Sequence, residues 1–261
     1  MPRIPLSLAL DQLLALHGTG LRFAYGAGVV LRGVDLAVAR GECVALHGPN
    51  GVGKTTLVRI LATLLRPSAG ALTIGGVDAL RDQIHARSLL GMAGDRILLS
   101  LDLTARENLR FYARLYGVPR IDWAIDAALS QLDVRNLADR PVRTLSRGMQ
   151  QRVSLARAIL HDPLVLLLDE PEAALDQAAQ QRLAAVLAER GSRGRATLVV
   201  SHRPDWIQEI ADRSVLLQDG LAVSVGIAGE RTPDDGSADL PPPHGPPAGA
   251  HGPASEGVAQ R

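Results

Sequence analysis

The sequence predicts an α/β fold in which helices cover a mainly parallel core sheet. Three observations carry this reading. An apolar run, Cys43 to Leu46, leads through a glycine-rich loop into the amphipathic stretch Leu57 to Leu65, a strand–loop–helix unit. Leu164 to Leu168 is apolar at every position rather than alternating, the pattern of a strand buried on both faces. From Gln177 to Leu217 helical and strand patterns alternate, as they do when helices pack on parallel strands.

Taken in order, residues 1–12 read as a leader into the first strand. Leu6 to Leu10 is apolar, but Asp11 and Gln12 interrupt it and no small-residue cleavage site follows, so it is not a secretory signal. Leu13 to Ala15, Leu21 to Tyr25 and Val34 to Val38 are short strands between glycine turns, an antiparallel sheet continued by Ala71 to Ile74. Ser88 to Met92 reads as a further strand. Thr104, with Glu107 three residues on, is a capping box that opens a helix running through Tyr116. Asp122 to Leu132 and Gly148 to Leu160 repeat apolar residues at helical spacing, so that a helical subdomain spans about residues 96–161. A helix from Gln177 to Arg190, a strand from Thr197 to Val200, a helix from Pro204 to Asp212 and a strand from Ser214 to Leu217 complete a domain of residues 13–228. Residues 229–261 hold Pro241, Pro242 and Pro243 and almost no large apolar side chain, which predicts a disordered tail. His244 and His251 within it are solvated spacers rather than metal ligands.

A chain of 261 residues suits one large domain or one domain with an insertion. With a net charge of +1 there is no strong field to recruit nucleic acid or an anionic lipid surface. The lone Cys43 excludes an internal disulfide, fits a reducing cytoplasm and belongs to a core strand. No stretch approaches the roughly 20 apolar residues of a membrane span, so the chain is expected to be soluble by itself.

Chemistry concentrates first at Gly48, Pro49, Asn50, Gly51, Val52, Gly53, Lys54, Thr55 and Thr56. This segment satisfies G-x-x-x-x-G-K-[ST] without a mismatch and stands between a strand and a helix. The glycines let the backbone curl so that N–H groups cradle phosphate oxygens, and the helix adds its positive end. Lys54 would meet the β/γ-phosphates and the Thr55 hydroxyl would meet Mg²⁺, so the expected cofactors are ATP and Mg²⁺. The strand Leu164 to Leu168 ends in Asp169 and Glu170. Asp169 would face the water on Mg²⁺, and Glu170, beyond the strand end, would take a proton from attacking water.

A third segment opens a helix: Leu145, Ser146, Arg147, Gly148, Met149, Gln150, Gln151 and Arg152. Here the chain resembles the ATP-binding subunits of ABC transporters, whose signature reads LSGGQ followed by QR. The resemblance runs from about Leu13 to Val225. It implies the phosphate-loop nucleotide-binding domain of that type, with a parallel core sheet, an antiparallel β-subdomain and an inserted helical subdomain. In it Tyr25 matches the aromatic that stacks on adenine, Ala174, Leu175 and Asp176 match the D-loop, and Ser201 and His202 match the switch histidine. It also implies that two copies pair head to tail, each ATP lying between the loop of one and the signature of the other. Ser146 and the N–H of Gly148 would then bind the γ-phosphate held by the partner. Glu170 would be the general base, Lys54 would neutralise developing charge, and His202 would sense the γ-phosphate. The implied partners are a second ATP-binding subunit and a membrane permease that keeps the protein at the inner face of the membrane.

Some positions depart from the family pattern. Asp95 stands where a Gln normally touches both Mg²⁺ and the permease; an Asp ligates a cation but donates no hydrogen bond when ionised. Arg147 and Met149 replace Gly and Gln of the signature, and Arg147 serves either as a cation near the partner's ATP or as a solvated side chain. Glu172 adds a carboxylate where a small polar residue is common. None removes a group that holds phosphate, so hydrolysis is still expected. The segments Leu103 to Gly117 and Val142 to Arg152 look most like the ATPases of haem exporters in cytochrome c maturation, and next like ABC-2 type drug and polysaccharide exporters. Phe111, Tyr112 and Tyr116 in the first are either permease anchors or core. The short interval from Thr56 to Leu145 and the single cassette argue against the ABC ATPases of nucleic acid and ribosomes, which leaves a cytosolic assembly factor without a permease and, more distantly, a nucleotide kinase as alternatives.

Overall fold

The computed structural model describes residues 13–94 and 97–225. The leader at 1–12, the tail at 229–261 and Asp95 therefore lie outside the described residues. The strands in chain order are β1 (Leu14–Tyr25), β2 (Gly28–Ala39), β3 (Cys43–His47), β4 (Ala69–Ile74), β5 (Val77–Asp78), β6 (Leu90–Ala93), β7 (Val165–Asp169), β8 (Ala196–Val200), β9 (Arg213–Gln218) and β10 (Leu221–Val225). The helices are α1 (Lys54–Leu61), α2 (Gln83–Ser88), α3 (Ala105–Leu115), α4 (Ile121–Gln131), α5 (Arg147–Ile159), α6 (Gln177–Ser192) and α7 (Pro204–Ile210).

Two sheets result. One is antiparallel, in the order β2-β1-β4-β5; the other runs β10-β9-β3-β8-β7-β6 and is parallel except for the β10 edge. The inner parallel strands β3, β7 and β8 are mainly apolar because both their faces are covered. Val165 and Leu167 of β7 join Val44, Leu46 and Leu198 in a core with α1 and the antiparallel sheet. Leu166 and Leu168 join Ala45 and Val199 in a second core beneath α3 to α7. A fully buried leucine contributes about 1.5–3 kcal/mol over an exposed one, so each strand residue stabilises one layer or the other.

In the helical region Leu109 and Ala113 of α3, Ile125 and Leu129 of α4 and Val153 of α5 are buried together. Arg106 ties the layer laterally, reaching Asp126 at 2.8 Å and Asp139 at 2.9 Å, while Arg135 takes the other Asp126 oxygen at 2.9 Å. The two guanidiniums, Arg106 first, hold the Asp126 carboxyl below its ordinary range.

Several element boundaries differ from the sequence reading. Leu13 to Ala15 and Leu21 to Tyr25 belong to one strand: the glycines between them make a bulge with shifted register at Gly18–Leu21, not a turn. The first helix begins at Lys54 rather than Leu57 and ends at Leu61, because Lys54 closes the loop directly. The strand placed at Ser88 lies at Leu90–Ala93, with Ser88 ending the unpredicted helix α2. Strands β5 and β10 were also unpredicted; each is short or half-solvated and lacks a clear period. The capping box is as the spacing requires, the Thr104 hydroxyl accepting from the Glu107 N–H at 3.1 Å and the Glu107 carboxylate accepting from the Thr104 N–H at 2.8 Å.

Thr104→Ala removes that hydroxyl acceptor and should lower stability by about 1 kcal/mol. Thermal unfolding followed by circular dichroism should show Tm falling by roughly 2–4 °C for a domain of this size, and an unchanged Tm would show the cap to be idle.

Candidate nucleotide site

Register brings the site together. Leu46 of β3 pairs with Val200 of β8, and Val200 pairs with Asp169 of β7, so three parallel strands end at one level. Their loops must therefore emerge side by side at the carboxyl edge, where open parallel sheets bind ligands. After β3 the chain curls through Gly48 to Gly53 and enters α1 at Lys54. Gly48 has φ 147°, and a Cβ there would lie 2.3 Å from the Leu217 carbonyl oxygen, so only glycine passes. Lys54 is 7% exposed. Its ammonium donates to the carbonyls of Gly48 and Pro49, both at 2.9 Å, so the loop wraps around the charge. Pro49, Asn50 and Gly51 stay exposed on the outer rim, while Val52 packs inward against the core.

Beside the loop, Thr55 and Asp169 line the same cleft. Burial raises the Asp169 carboxyl above the usual range, the nearby Thr55 hydroxyl and the charges of Arg59 and Lys54 opposing. A cleft of about 450 Å³ runs past Thr55, Arg59, Met92, Gly94, Asp169 and Glu170. Among the described residues no group of three or more His, Cys, Asp or Glu side chains is arranged to hold a metal. That does not disqualify Mg²⁺, which is commonly bound by one or two protein oxygens plus water and phosphate. The adjoining hydroxyl and carboxylate of Thr55 and Asp169 are such a hard-oxygen pair.

Glu170 follows at φ 51°, a left-handed conformation uncommon for a residue with a side chain. Its N–H donates to Val200 O at 2.9 Å, which fixes the bend across the strand ends. The carboxylate Oε1 lies 3.4 Å from His202 Nε2, and both side chains are about half exposed. Fold therefore unites Lys54, Thr55, Asp169, Glu170 and His202, which the sequence places as far as 148 positions apart, from Lys54 to His202.

The other predicted residues sit differently. Tyr25 stands at the tip of the β1–β2 hairpin, edge-on to Phe23 with centroids 4.9 Å apart and 53% exposed. The same hairpin meets the loop, since a Cβ on Gly53 would touch Val30. Ser146 caps α5, accepting from the Met149 N–H at 3.3 Å. Neither Ser146 nor Gly148 lines the cleft beside Lys54. Gly148 instead packs so tightly that a Cβ would come within 2.7 Å of the Ala174 carbonyl, and Asp176 caps α6 through the Ala179 N–H at 2.8 Å. Met149, in the place of Gln, packs on the core, and Arg147 is exposed.

Sequence reasoning missed Arg157. Although charged, it is 5% exposed; its guanidinium donates to Met92 O at 2.6 Å and lies 5.0 Å from the Tyr112 ring centroid. Tyr112 in turn donates to Leu98 O at 2.8 Å, so both arms of the segment beside the cleft are held. An arginine at a core position of an apolar helical face was the available signal. Tyr112 and Tyr116 are thus half-buried packing groups, Tyr116 stacking on His161 at 3.8 Å, whereas Phe111 is exposed.

A family model described as ABC transporter matches residues 31–173. Relatives include the daunorubicin resistance ATP-binding protein DrrA3 of Streptomyces coeruleorubidus, 34% identical over 87% of this chain and 72% of that protein. The Nod factor export ATP-binding protein I of Burkholderia orbicola is 36% identical over 77% of this chain and 67% of that protein. Among solved structures, cbiO1 of Clostridium perfringens, part of the ABC transporter complex cbiONQ, superposes with a TM-score of 0.73 at 26% identity, covering 83% of this chain and 89% of that one. These relatives are named for drug resistance and Nod factor export, and none of them for haem export, so the haem-export expectation finds no support in them.

Gly48→Ala should raise the Kd for a fluorescent ATP analogue at least about tenfold, equivalent to 1.4 kcal/mol of strain in the loop. An unaltered Kd would mean that the loop absorbs the methyl group by moving away from Leu217.

Proposed function

Because the chain belongs to the ABC transporter ATP-binding family, we propose that it is the energising subunit of an ABC-2 type exporter of drug-like or polysaccharide cargo, acting on a separate permease. Members of this family are ATPases coupled to transport; they work with membrane partners and generally dimerise. No described helix is long and apolar enough to cross a membrane. The observation that carries the reading is the meeting of Lys54, the Thr55–Asp169 pair and Glu170 at one sheet edge.

Mg²⁺, when bound, would offset phosphate charge beside Thr55 and Asp169. The loop N–H groups and Lys54 orient and neutralise the triphosphate. Glu170 accepts the proton of the attacking water at its carboxylate, and His202, 3.4 Å away, holds that carboxylate and meets the γ-phosphate. Ser146 and the N–H of Gly148 complete the site of a second copy, consistent with their place away from the cleft. Tyr25 stacks on the base, and Asp95 adds a metal contact. On α3, Phe111 and Leu115 lie one turn apart and are 60% and 66% exposed, with Arg110 and Arg114 beside them. This apolar pair rimmed by charge is the permease contact, with Tyr112 and Tyr116 as its packed support.

Glu170→Gln should reduce turnover by about 10²–10⁴-fold while retaining nucleotide, so that a dimer accumulates in Mg·ATP on size-exclusion chromatography. A variant that stays monomeric at saturating Mg·ATP would sink the paired-site mechanism. Lys54→Ala should instead weaken ATP binding roughly tenfold or more, because a charge-assisted contact is lost. Equal affinity by isothermal titration would contradict its role.

A further inference from the structure

We propose that Glu172 is a positioning residue: acting through Ser201, it holds the loop of His202 against the strand end that carries Glu170. This rests on the roles proposed above for Glu170 and His202. Glu172 is 3% exposed and Ser201 is fully buried. The Ser201 hydroxyl donates to Glu172 Oε1 and accepts from the Arg203 N–H at 3.1 Å. The Arg203 guanidinium donates to Gln180 Oε1 at 2.8 Å. Gln180 Nε2 donates back to the carbonyls of Leu175 at 2.8 Å and Glu172 at 3.4 Å. The circuit closes on the segment where it began.

His202 lies between the two residues that this circuit fixes. Strand pairing ends at Asp169 and Val200, and beyond it the Glu170 N–H to Val200 O bond is the last backbone link across. The side-chain circuit continues the splint past that point. A buried carboxyl is unfavourable unless its oxygens are satisfied, and Glu172 Oε2 has no hydrogen-bond partner among the described residues. Burial accordingly pushes this carboxyl above its usual range, the Ser201 bond opposing. An apolar side chain would fill the space with less penalty, so the carboxyl's use lies in what it holds.

The test measures steady-state ATP hydrolysis by the full chain, with ATP binding measured separately. Glu172→Gln keeps an oxygen for Ser201 and should retain at least about half of wild-type kcat. Glu172→Ala and Ser201→Ala should each lower kcat roughly tenfold with the ATP KM within about twofold. Combined, they should lose no more than either alone, since both break one bond. In a His202→Ala background, Glu172→Ala should have no further effect. Unchanged kcat in Glu172→Ala, additive losses, or a further fall without His202 would each overturn the positioning role alone. Undiminished turnover by Glu170→Gln would overturn the underlying roles and this proposal with them. Should Glu172→Ala fail to fold, Ser201→Ala, which deletes only a hydroxyl, carries the same comparison.

Discussion

Parallel pairing of β3, β8 and β7 is the constraint on which the rest of this structure depends. Leu46, Val200 and Asp169 stand in one row, so the segments that leave these strands are neighbours whatever their separation in the chain. Each strand is anchored in two apolar layers, and a slip of one residue would send every side chain to the wrong layer. The core thereby sets the height of each loop. Only then do the glycine conformations matter: Gly48 lets the backbone pass the Leu217 carbonyl and bring Lys54 beneath the curl.

Above that rigid floor the chain holds features that are unfavourable taken singly. Glu170 occupies a left-handed conformation, which for a residue with a side chain costs on the order of 1–3 kcal/mol. Glu172 is a buried carboxyl, and Asp169 is partly desolvated. All lie within four positions of one another at the end of a strand that is apolar from Val165 to Leu168. The stability of β7 offsets local strain, which lets the proposed proton acceptor, metal-facing carboxylate and positioning residue share one short segment.

The helical region reaches the site by a different route. Arg157 of α5 grips Met92 O, and Tyr112 of α3, lying over that guanidinium, grips Leu98 O. The segment lining the cleft is thus held from the same two helices that carry the signature, at the N-terminus of α5, and the exposed Phe111, in the second half of α3. A change in the cleft and a change at that face are joined by packed side chains, the arrangement needed if nucleotide state is to move a partner.

Much of this was legible in the sequence because it is local. The loop pattern, the capping box of Thr104 and Glu107, and the all-apolar Leu164 to Leu168 each follow from backbone geometry or from which side chains shun water. Where the glycines at Gly18 and Gly20 looked like a turn, pairing with two neighbouring strands carried β1 straight through them as a bulge. Local preference could not foresee partners on both sides. The sequence by itself determined the α/β class, the phosphate loop and the candidate metal-facing carboxylate and base. Tertiary structure decided that Glu170 faces His202, that Arg157 is interior and that Glu172 reaches Ser201. Contacts of that kind join residues 29 to 65 positions apart, and a chain's near-neighbour chemistry holds no record of which distant strands will lie side by side.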